Sequence, residues 1–281
     1  MKNLIVRTIS GVIFVSIIIA AIWFPPYLFG AVFLLITILG LREFYALCDN
    51  IEGVKIAKIF SIISGVVLLL VFFQDSSIRG WKYTLLFIVL YILCITTLFI
   101  FELFRNQKNP IQNIAIALMG HIYVVLPVGC MCLIAIEHKL FLLAFFCIIW
   151  ASDTGAYLTG VSIGKHKMFE RISPKKTWEG FFGGMVFALI AGFIFSMITT
   201  NIYVEYYEYY RPSLELWQWL AFALIVFVFG TLGDLVESMF KRSLNVKDSG
   251  SFMPGHGGVL DRFDSAIIAA PVAVVFLMLC S

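Results

Sequence analysis

The chain has 281 residues, of which 61% are hydrophobic and only 13% are charged. Soluble domains are about 45–50% apolar and about 25% charged, so the composition excludes an ordinary soluble domain and predicts an integral membrane protein. The net charge of +3 is too small to indicate nucleic-acid binding, and the six scattered cysteines show neither metal-ligand nor disulfide spacing.

Hydropathy predicts nine membrane-spanning helices, because a span needs about 20 mostly apolar residues. The first apolar run, Ile9 to Phe24, follows Lys2 and Arg7 but lacks a small-residue cleavage pattern, and further spans follow at once. It is therefore expected to be an uncleaved helix, not a signal peptide. The nine spans cover residues 4–24, 27–47, 57–73, 82–103, 111–136, 139–163, 178–200, 215–240 and 258–280. The predicted fold class is an all-α polytopic bundle.

The distribution of Lys and Arg predicts the orientation of these spans. With the amino terminus in the cytoplasm, 16 of the 20 basic residues lie on the cytoplasmic side, as the positive-inside rule requires. Only Arg79, Lys82, Lys139 and Arg211 lie outside. We expect a multi-pass protein of the cell (inner) membrane with an external carboxyl terminus.

Several carboxylates lie within or at the ends of the later spans, where an acid at the centre of a span costs about 2.5–3.5 kcal/mol. Helical spacing places Asp234, Ser238 and Lys241 on one face. Two helices would then place carboxylates close together at the same side of the membrane. Mg²⁺ is commonly held by one or two carboxylates plus substrate phosphates, so this arrangement predicts a magnesium site. The alternative is that each carboxylate reaches water from a helix end. The carboxylates are Asp153, Asp234, Glu237, Asp261 and Asp264.

Basic residues and glycines surround these acids on the predicted cytoplasmic side. Membrane orientation accounts for some of the charges but not for the glycines of PGHGG at 254–258. There the backbone can approach a ligand closely and direct N–H groups at anionic oxygens. His256 is a candidate phosphate donor, or else a turn residue. The basic residues are Lys165, Lys167, Lys175, Lys176, Lys241, Arg242, Lys247 and Arg262.

The segment 164–180, GKHKMFERISPKKTWEG, offers two further features. Ser173 precedes Pro174 as a cap residue before a first helical position, and Thr177 is a candidate cap for the seventh span, whose amino end would then face anions. Gly180 and Gly184 form a GxxxG pair, which favours close helix packing over a nucleotide-binding loop.

The stretch SMFKRSLNVKDSGSFMPGHGGVLDRFD at 238–264 resembles the signature of the phosphatidate cytidylyltransferases (CDP-diacylglycerol synthases). The residues that fit are Ser238, Lys241, Arg242, Lys247, Asp248, Gly250, Pro254, His256, Gly257, Gly258, Asp261, Arg262 and Asp264. Met253 departs mildly from the usual residue. The segments SDTGAY at 152–157, SPKKTWEG at 173–180 and GDLVES at 233–238 are also similar to the family. The first 140 residues resemble it only in hydropathy.

The resemblance implies the reaction of CTP with phosphatidate, in the presence of Mg²⁺, to give CDP-diacylglycerol and pyrophosphate. It implies a catalytic region over residues 141–281, with its site at the cytoplasmic face, after about five spans in residues 1–140; a homodimer is compatible with it. The implied catalytic residues are Lys241, Lys247, Asp248, His256, Arg262 and Asp264. The implied substrate-binding residues are Asp153, Ser173, Lys175, Lys176, Thr177, Ser238, Arg242, Gly257 and Gly258. The implied magnesium ligands are Asp234, Asp261 and Asp264.

Two other functions compete with this interpretation. A CTP-dependent kinase acting on a polyprenol or another lipid would need similar residues, but the long match over 238–264 favours the cytidylyltransferase. An ion-coupled transporter would need ionisable residues near the midplane and often has repeated halves. The acids instead gather toward one face, and the sequence shows no internal repeat.

Overall fold

A computed structural model describes residues 2–23, 26–73, 78–137, 139–206, 214–250 and 257–280. Within these ranges the chain is helical apart from one two-stranded hairpin. A short 3-10 helix follows α3, and a five-residue π-helix joins α5 to α6. The elements are α1 Lys2–Trp23, α2 Pro26–Cys48, α3 Lys58–Leu70, α4 Ile78–Arg105, α5 Pro110–Gly120, α6 Leu126–Glu137, α7 Lys139–Ile163, β1 Lys167–Phe169, β2 Ser173–Thr177, α8 Trp178–Tyr206, α9 Leu216–Ser243 and α10 Leu260–Cys280.

The helices coincide with the nine predicted spans to within a few residues, with α5 and α6 together forming the fifth. Among the described residues, seven helical segments are long and apolar enough to cross a membrane. Two shorter apolar helices, Ile9–Trp23 and Lys58–Phe73, cover the first and third predicted spans. The all-α polytopic class is confirmed, and the number of nine spans stays a prediction.

α4 shows why such helices are stable in a membrane. Its span, Gly80–Arg105, has a mean hydropathy of 2.7, and only 6% of its most apolar window is buried inside the protein. Thr84, Thr96 and Thr97 each donate a hydroxyl hydrogen bond to the carbonyl four residues earlier. These polar groups are therefore satisfied within the helix, as a lipid-facing segment requires.

The chain forms two compact units. The first unit comprises residues 1–136 and 240–263, and the second comprises residues 137–239 and 264–281. The boundary after residue 136 lies close to the predicted division at residue 140. Residues 240–263, however, belong with the N-terminal helices, so α9 and α10 each divide between the two units.

The first unit buries a polar group at the π-helix. His121 Nε2 lies 2.8 Å from the Ser61 carbonyl oxygen, and its Nδ1 lies 3.1 Å from the Tyr91 hydroxyl. An imidazole that donates through Nε2 to the carbonyl can accept through Nδ1 from the tyrosine, so both ring nitrogens are satisfied. This histidine is thus held within the bundle and offers no sign of an ion pathway.

In the second unit α8 packs closely against α7 through small residues. A Cβ atom at Gly184 would lie 2.9 Å from the Ser152 carbonyl oxygen, and one at Gly180 would lie 2.9 Å from the Ala156 carbonyl oxygen. The close packing predicted for the GxxxG pair is confirmed, because any larger side chain would separate the two backbones.

The connection between α7 and α8 is an antiparallel hairpin in which Phe169 pairs with Ser173. The prediction that Ser173 caps a helix beginning at Pro174 is therefore wrong. A two-stranded ribbon has a free edge, and Pro is tolerated where no ladder N–H is needed. Thr177 does cap α8, since the Gly180 N–H donates to its Oγ1 at 3.2 Å.

Candidate active site

A carboxylate at the start of α8 holds the hairpin against that helix. Glu179 accepts hydrogen bonds from the backbone N–H groups of Lys165, at 3.1 Å, and of His166, at 3.2 Å. The Trp178 N–H donates to the His166 carbonyl at 2.9 Å. The two lysines of β2, Lys175 and Lys176, are therefore carried on a hairpin whose base is joined to the start of α8.

The second unit contains a cavity of about 530 Å³ between this hairpin and helices α7 and α9. Ligand pockets in proteins are of this order of size. The predicted site residues that line the cavity are Asp153, Lys175, Lys176, Thr177 and Asp234, and other polar residues in its wall are Ser152, Tyr157, Lys167 and Ser265. The structure thus brings together three lysines and two carboxylates that lie up to 81 positions apart in the sequence.

Lys176 and Asp234 form an ion pair in the wall of this cavity. The Lys176 Nζ lies 2.6 Å from Asp234 Oδ2, and the side chains are 24% and 33% exposed. The Ser238 hydroxyl donates to Asp234 Oδ1 at 3.3 Å, as the predicted shared helix face requires. Lys175 and Lys167 are exposed, so their ammonium groups are accessible to an anionic ligand.

A second group of acids in the same unit centres on Asp264. Its carboxylate interacts electrostatically with Asp234, Glu237 and Asp153. A Cβ atom on Gly233 would overlap the Asp264 carbonyl oxygen, so a glycine is needed for α9 to pass this closely. Over the described ranges, no group of three or more His, Cys, Asp and Glu side chains is arranged to hold a metal ion by itself.

In the first unit, α9 ends in a turn that leads into the signature stretch. Asn245 has a φ of 55°, its N–H donates to the Arg242 carbonyl, and the Val246 N–H donates to the Lys241 carbonyl at 2.9 Å. This pattern is a Schellman motif with asparagine in the left-handed position. It satisfies two terminal carbonyls of α9 and sets the direction of the segment that follows.

Lys241 and Asp261 form a largely buried ion pair at the other end of this segment. The Lys241 Nζ lies 2.7 Å from Asp261 Oδ1, and the side chains are only 14% and 10% exposed. Asp261 Oδ2 accepts hydrogen bonds from the N–H groups of Ser249, at 3.0 Å, and Gly258, at 2.7 Å. Both oxygens of Asp261 therefore have donors, and the carboxylate joins two points of the chain nine residues apart.

A further carboxylate, Glu43 on α2, belongs to this cluster and is missing from the sequence-predicted site. Its Oε1 accepts from the Val259 N–H and its Oε2 from the Leu260 N–H, both at 2.9 Å. The Ser249 hydroxyl donates to Oε2 at 3.4 Å. The only signal in the sequence is an acid inside an apolar run, next to Arg42, near the end of the second span.

The glycines of the signature make room for these two carboxylates. Gly257 has a φ of 81°, and a Cβ atom on it would overlap the Asp261 carboxylate. A Cβ atom on Gly258 would overlap the Glu43 carboxylate and the Ser249 hydroxyl. The sequence predicts that a ligand approaches the backbone at these glycines. In the structure, the described groups that lie against them are the carboxylates of Asp261 and Glu43. A substrate-binding role for the two glycines stays a prediction.

Gly258→Ala is expected to abolish activity and to lower the melting temperature, because its methyl group would overlap a buried carboxylate. Overpacking of this kind typically costs about 1–3 kcal/mol. Gly30→Ala is the control, since a Cβ atom there would meet nothing closer than Phe73, at 3.8 Å. Activity and thermal denaturation are measured for both variants, and full activity in Gly258→Ala would show that the tight packing is dispensable.

The side chains of the remaining predicted site residues do not take part in the contacts described above. Ser173 lies on β2, half-buried. His256 lies outside the described residues, so its predicted role in phosphate binding stays a prediction. Four predicted site residues of the signature stretch are exposed, namely Arg242, Lys247, Asp248 and Arg262.

These features define a multi-pass α-helical membrane protein with lysines and carboxylates gathered in polar sites of its last helices. The chain belongs to the cytidylyltransferase family, whose sequence pattern matches residues 5–280. The family resemblance predicted from the signature is thus confirmed, and the match extends through the N-terminal helices.

Three relatives illustrate the similarity, each named phosphatidate cytidylyltransferase. The protein of Staphylococcus saprophyticus is 36% identical over 278 residues, and that of Staphylococcus haemolyticus is 33% identical over 280 residues. The protein of Staphylococcus aureus strain COL is 34% identical over 275 residues. Each alignment covers 97% of this chain and 98% of the relative.

Proposed function

We propose that the protein transfers the cytidylyl group of CTP to phosphatidate, giving CDP-diacylglycerol and pyrophosphate for phospholipid synthesis. Its family membership and the names of its relatives support this activity. The observation that carries the proposal is the cavity of the second unit, where Lys167, Lys175 and Lys176 stand with Asp153 and Asp234. Ammonium groups and carboxylates together suit a substrate that carries phosphates and a divalent cation.

The proposed reaction needs no strong general base. An anionic oxygen of the phosphatidate phosphate attacks the α-phosphorus of CTP and forms a new P–O bond. The bond from that phosphorus to the oxygen bridging the α- and β-phosphates breaks, and pyrophosphate leaves with this oxygen. The nucleophile is already ionised at neutral pH, so catalysis depends on positioning two anions and neutralising their charge. The lysines around the cavity supply positive charge for this purpose.

We also propose magnesium as the cofactor. Asp153 and Asp234 line the same cavity and offer the carboxylate oxygens that Mg²⁺ prefers, and Asp264 is a third candidate ligand outside its lining. Bound there, the ion would neutralise phosphate oxygens, and water and substrate would complete its ligands. Asp261 fits less well, because Lys241 and two backbone N–H groups already occupy its oxygens.

The test of the proposed function uses CTP labelled in either the α- or the γ-phosphate, with the purified protein in micelles containing phosphatidate. Label from the α-phosphate is expected in the lipid, and label from the γ-phosphate in pyrophosphate. Label from the γ-phosphate in a lipid would instead identify a CTP-dependent lipid kinase. Failure to consume CTP under any condition would contradict both enzymes and favour the transporter.

The protein is proposed to lie in the cell membrane with its amino terminus in the cytoplasm. In a variant whose native cysteines are replaced, Lys175→Cys is expected to react with a membrane-impermeant maleimide in inverted vesicles but not in intact cells. Ser281→Cys is expected to show the opposite pattern, because the distribution of basic residues places the carboxyl terminus outside. Labelling of Lys175→Cys in intact cells would contradict this orientation.

A further inference from the structure

Glu43 occupies the amino end of α10. It is only 9% exposed, and it accepts hydrogen bonds from the N–H groups of Val259 and Leu260. N–H groups at a helix start have no partner within the helix, and a negative charge there is favourable. A buried carboxylate in turn requires donors, because leaving it without them is costly. The contact therefore gives the N–H groups of Val259 and Leu260 an acceptor and gives the buried carboxylate its donors. Glu43 and Val259 are 216 residues apart in the sequence.

The same carboxylate also organises the residues that precede α10. A Cβ atom on Gly250 would lie 2.6 Å from Glu43 Oε1, and one on Gly258 would overlap the carboxylate. Ser249 donates its hydroxyl to Glu43, while the N–H groups of Ser249 and Gly258 donate to Asp261. Glu43 and Asp261 thus both bind Ser249, and their other backbone donors, Val259 and Leu260 for Glu43 and Gly258 for Asp261, are consecutive in the sequence.

We infer that Glu43 is a positioning residue for catalysis, which fixes Ser249 and the start of α10 and thereby orients Asp261 and its partner Lys241. This role rests on the proposed cytidylyl transfer. Glu43 itself needs no contact with substrate. Because Glu43 accepts from the N–H groups of Val259 and Leu260, these two donors at the start of α10 are not available to a substrate phosphate.

The experiment compares Glu43→Gln and Glu43→Asp with Glu102→Gln in the full-length protein. Glu102 is a matched control because it is a buried carboxylate of the same unit, 3% exposed. Its partners are Arg105, at 2.7 Å, and Asn113, at 2.5 Å, both outside the signature stretch. Amide hydrogen exchange at residues 257–263 and the kinetics of cytidylyl transfer are measured for each variant.

Glu43→Gln is expected to accelerate exchange at Val259 and Leu260 and to lower kcat/KM, each by about tenfold or more, because it loses charge-assisted hydrogen bonds. Glu43→Asp retains the charge and is expected to recover part of both. Glu102→Gln should leave both readouts near wild type, even where its melting temperature falls. Should Glu43→Gln fail to fold, Glu43→Asp provides the comparison, with smaller changes in the same direction.

Two results would overturn the inference. Unchanged exchange at Val259 and Leu260 in the Glu43 variants would show that the carboxylate does not hold the start of α10. Faster exchange with unchanged kinetics, or equal kinetic losses in the Glu43 and Glu102 variants, would reduce Glu43 to a residue that only stabilises the fold. Absence of transfer by the wild-type protein would instead contradict the proposed function, and the exchange measurement would still test the contacts of Glu43.

Discussion

Asp234→Asn is expected to lower cytidylyl transfer by about a hundredfold or more while the protein stays folded. The carboxylate lines the cavity and pairs with Lys176, so its loss removes an oxygen ligand of the proposed magnesium ion and the partner that holds Lys176 in place. Electrostatic contacts of this kind contribute several kcal/mol to the transition state. The ion pair is partly open to solvent, so its loss should cost only on the order of 1 kcal/mol of folding stability. The difference between these two magnitudes makes activity the informative readout.

The matched control for this variant is Asp49→Asn. Asp49 pairs with Lys58 in the first unit, with both side chains well exposed, so it also loses one Lys–Asp pair. Its activity should remain near wild type. A second measurement follows the increase in melting temperature on adding magnesium, which Asp234→Asn should reduce. Near-native activity of Asp234→Asn at low magnesium would remove Asp234 from the site.

Asp261→Asn is expected to lose both activity and stability. The pair that it breaks is largely buried, and removing one partner of a buried pair leaves the other charge uncompensated, at a cost of about 3–5 kcal/mol. Lys241 would be that uncompensated charge. Circular dichroism melting and the transfer assay, run on the same preparations, measure the two losses separately.

The double variant Lys241→Gln/Asp261→Asn distinguishes the two effects. Removing both charges abolishes the uncompensated ammonium, so the melting temperature should recover in part relative to Asp261→Asn alone. Activity should not recover, because the family signature assigns Lys241 and Asp261 to the site. Recovery of activity together with stability would show that this ion pair supports only the fold.

Helix positions in this protein could be predicted from the sequence because each span is a long apolar segment. Membrane length and backbone hydrogen bonding within the helix decide the outcome with little help from tertiary contacts. Apolar length does not predict the hairpin between α7 and α8. Ser173 and Pro174 have the residue types of a helix start, and only the pairing of β2 with β1 makes them a strand.

The sequence predicts lysines and carboxylates as the side chains of the candidate site, but it does not predict many of the partners that the structure gives them. Lys241 and Asp234 share a helix face, and the structure pairs each with a residue from another element. Arg105 has the sequence context of a cytoplasmic loop charge, although it binds the buried Glu102. Partner choice depends on packing between distant segments, which local spacing does not encode.

The glycines of the signature illustrate the same limit. Their freedom of backbone conformation and lack of a side chain were evident from the sequence, but the group that fills the space was not. That group is a carboxylate on α2, and nothing near residues 250–258 in the sequence points to it. From the sequence alone, the space beside these glycines is therefore predicted to hold a ligand.

The membership of residues 240–263 in the first unit has a consequence for biosynthesis. Domains generally fold from the amino terminus as the ribosome proceeds, but Glu43 emerges more than 200 residues before the amides that it binds. Until α10 has been translated, this carboxylate lies in an apolar segment without those donors, which is unfavourable. Glu43 can thus reach its final hydrogen-bonding partners only when translation is nearly finished. A chain truncated before residue 259 would lack these donors, and it would be a target for membrane quality-control proteases.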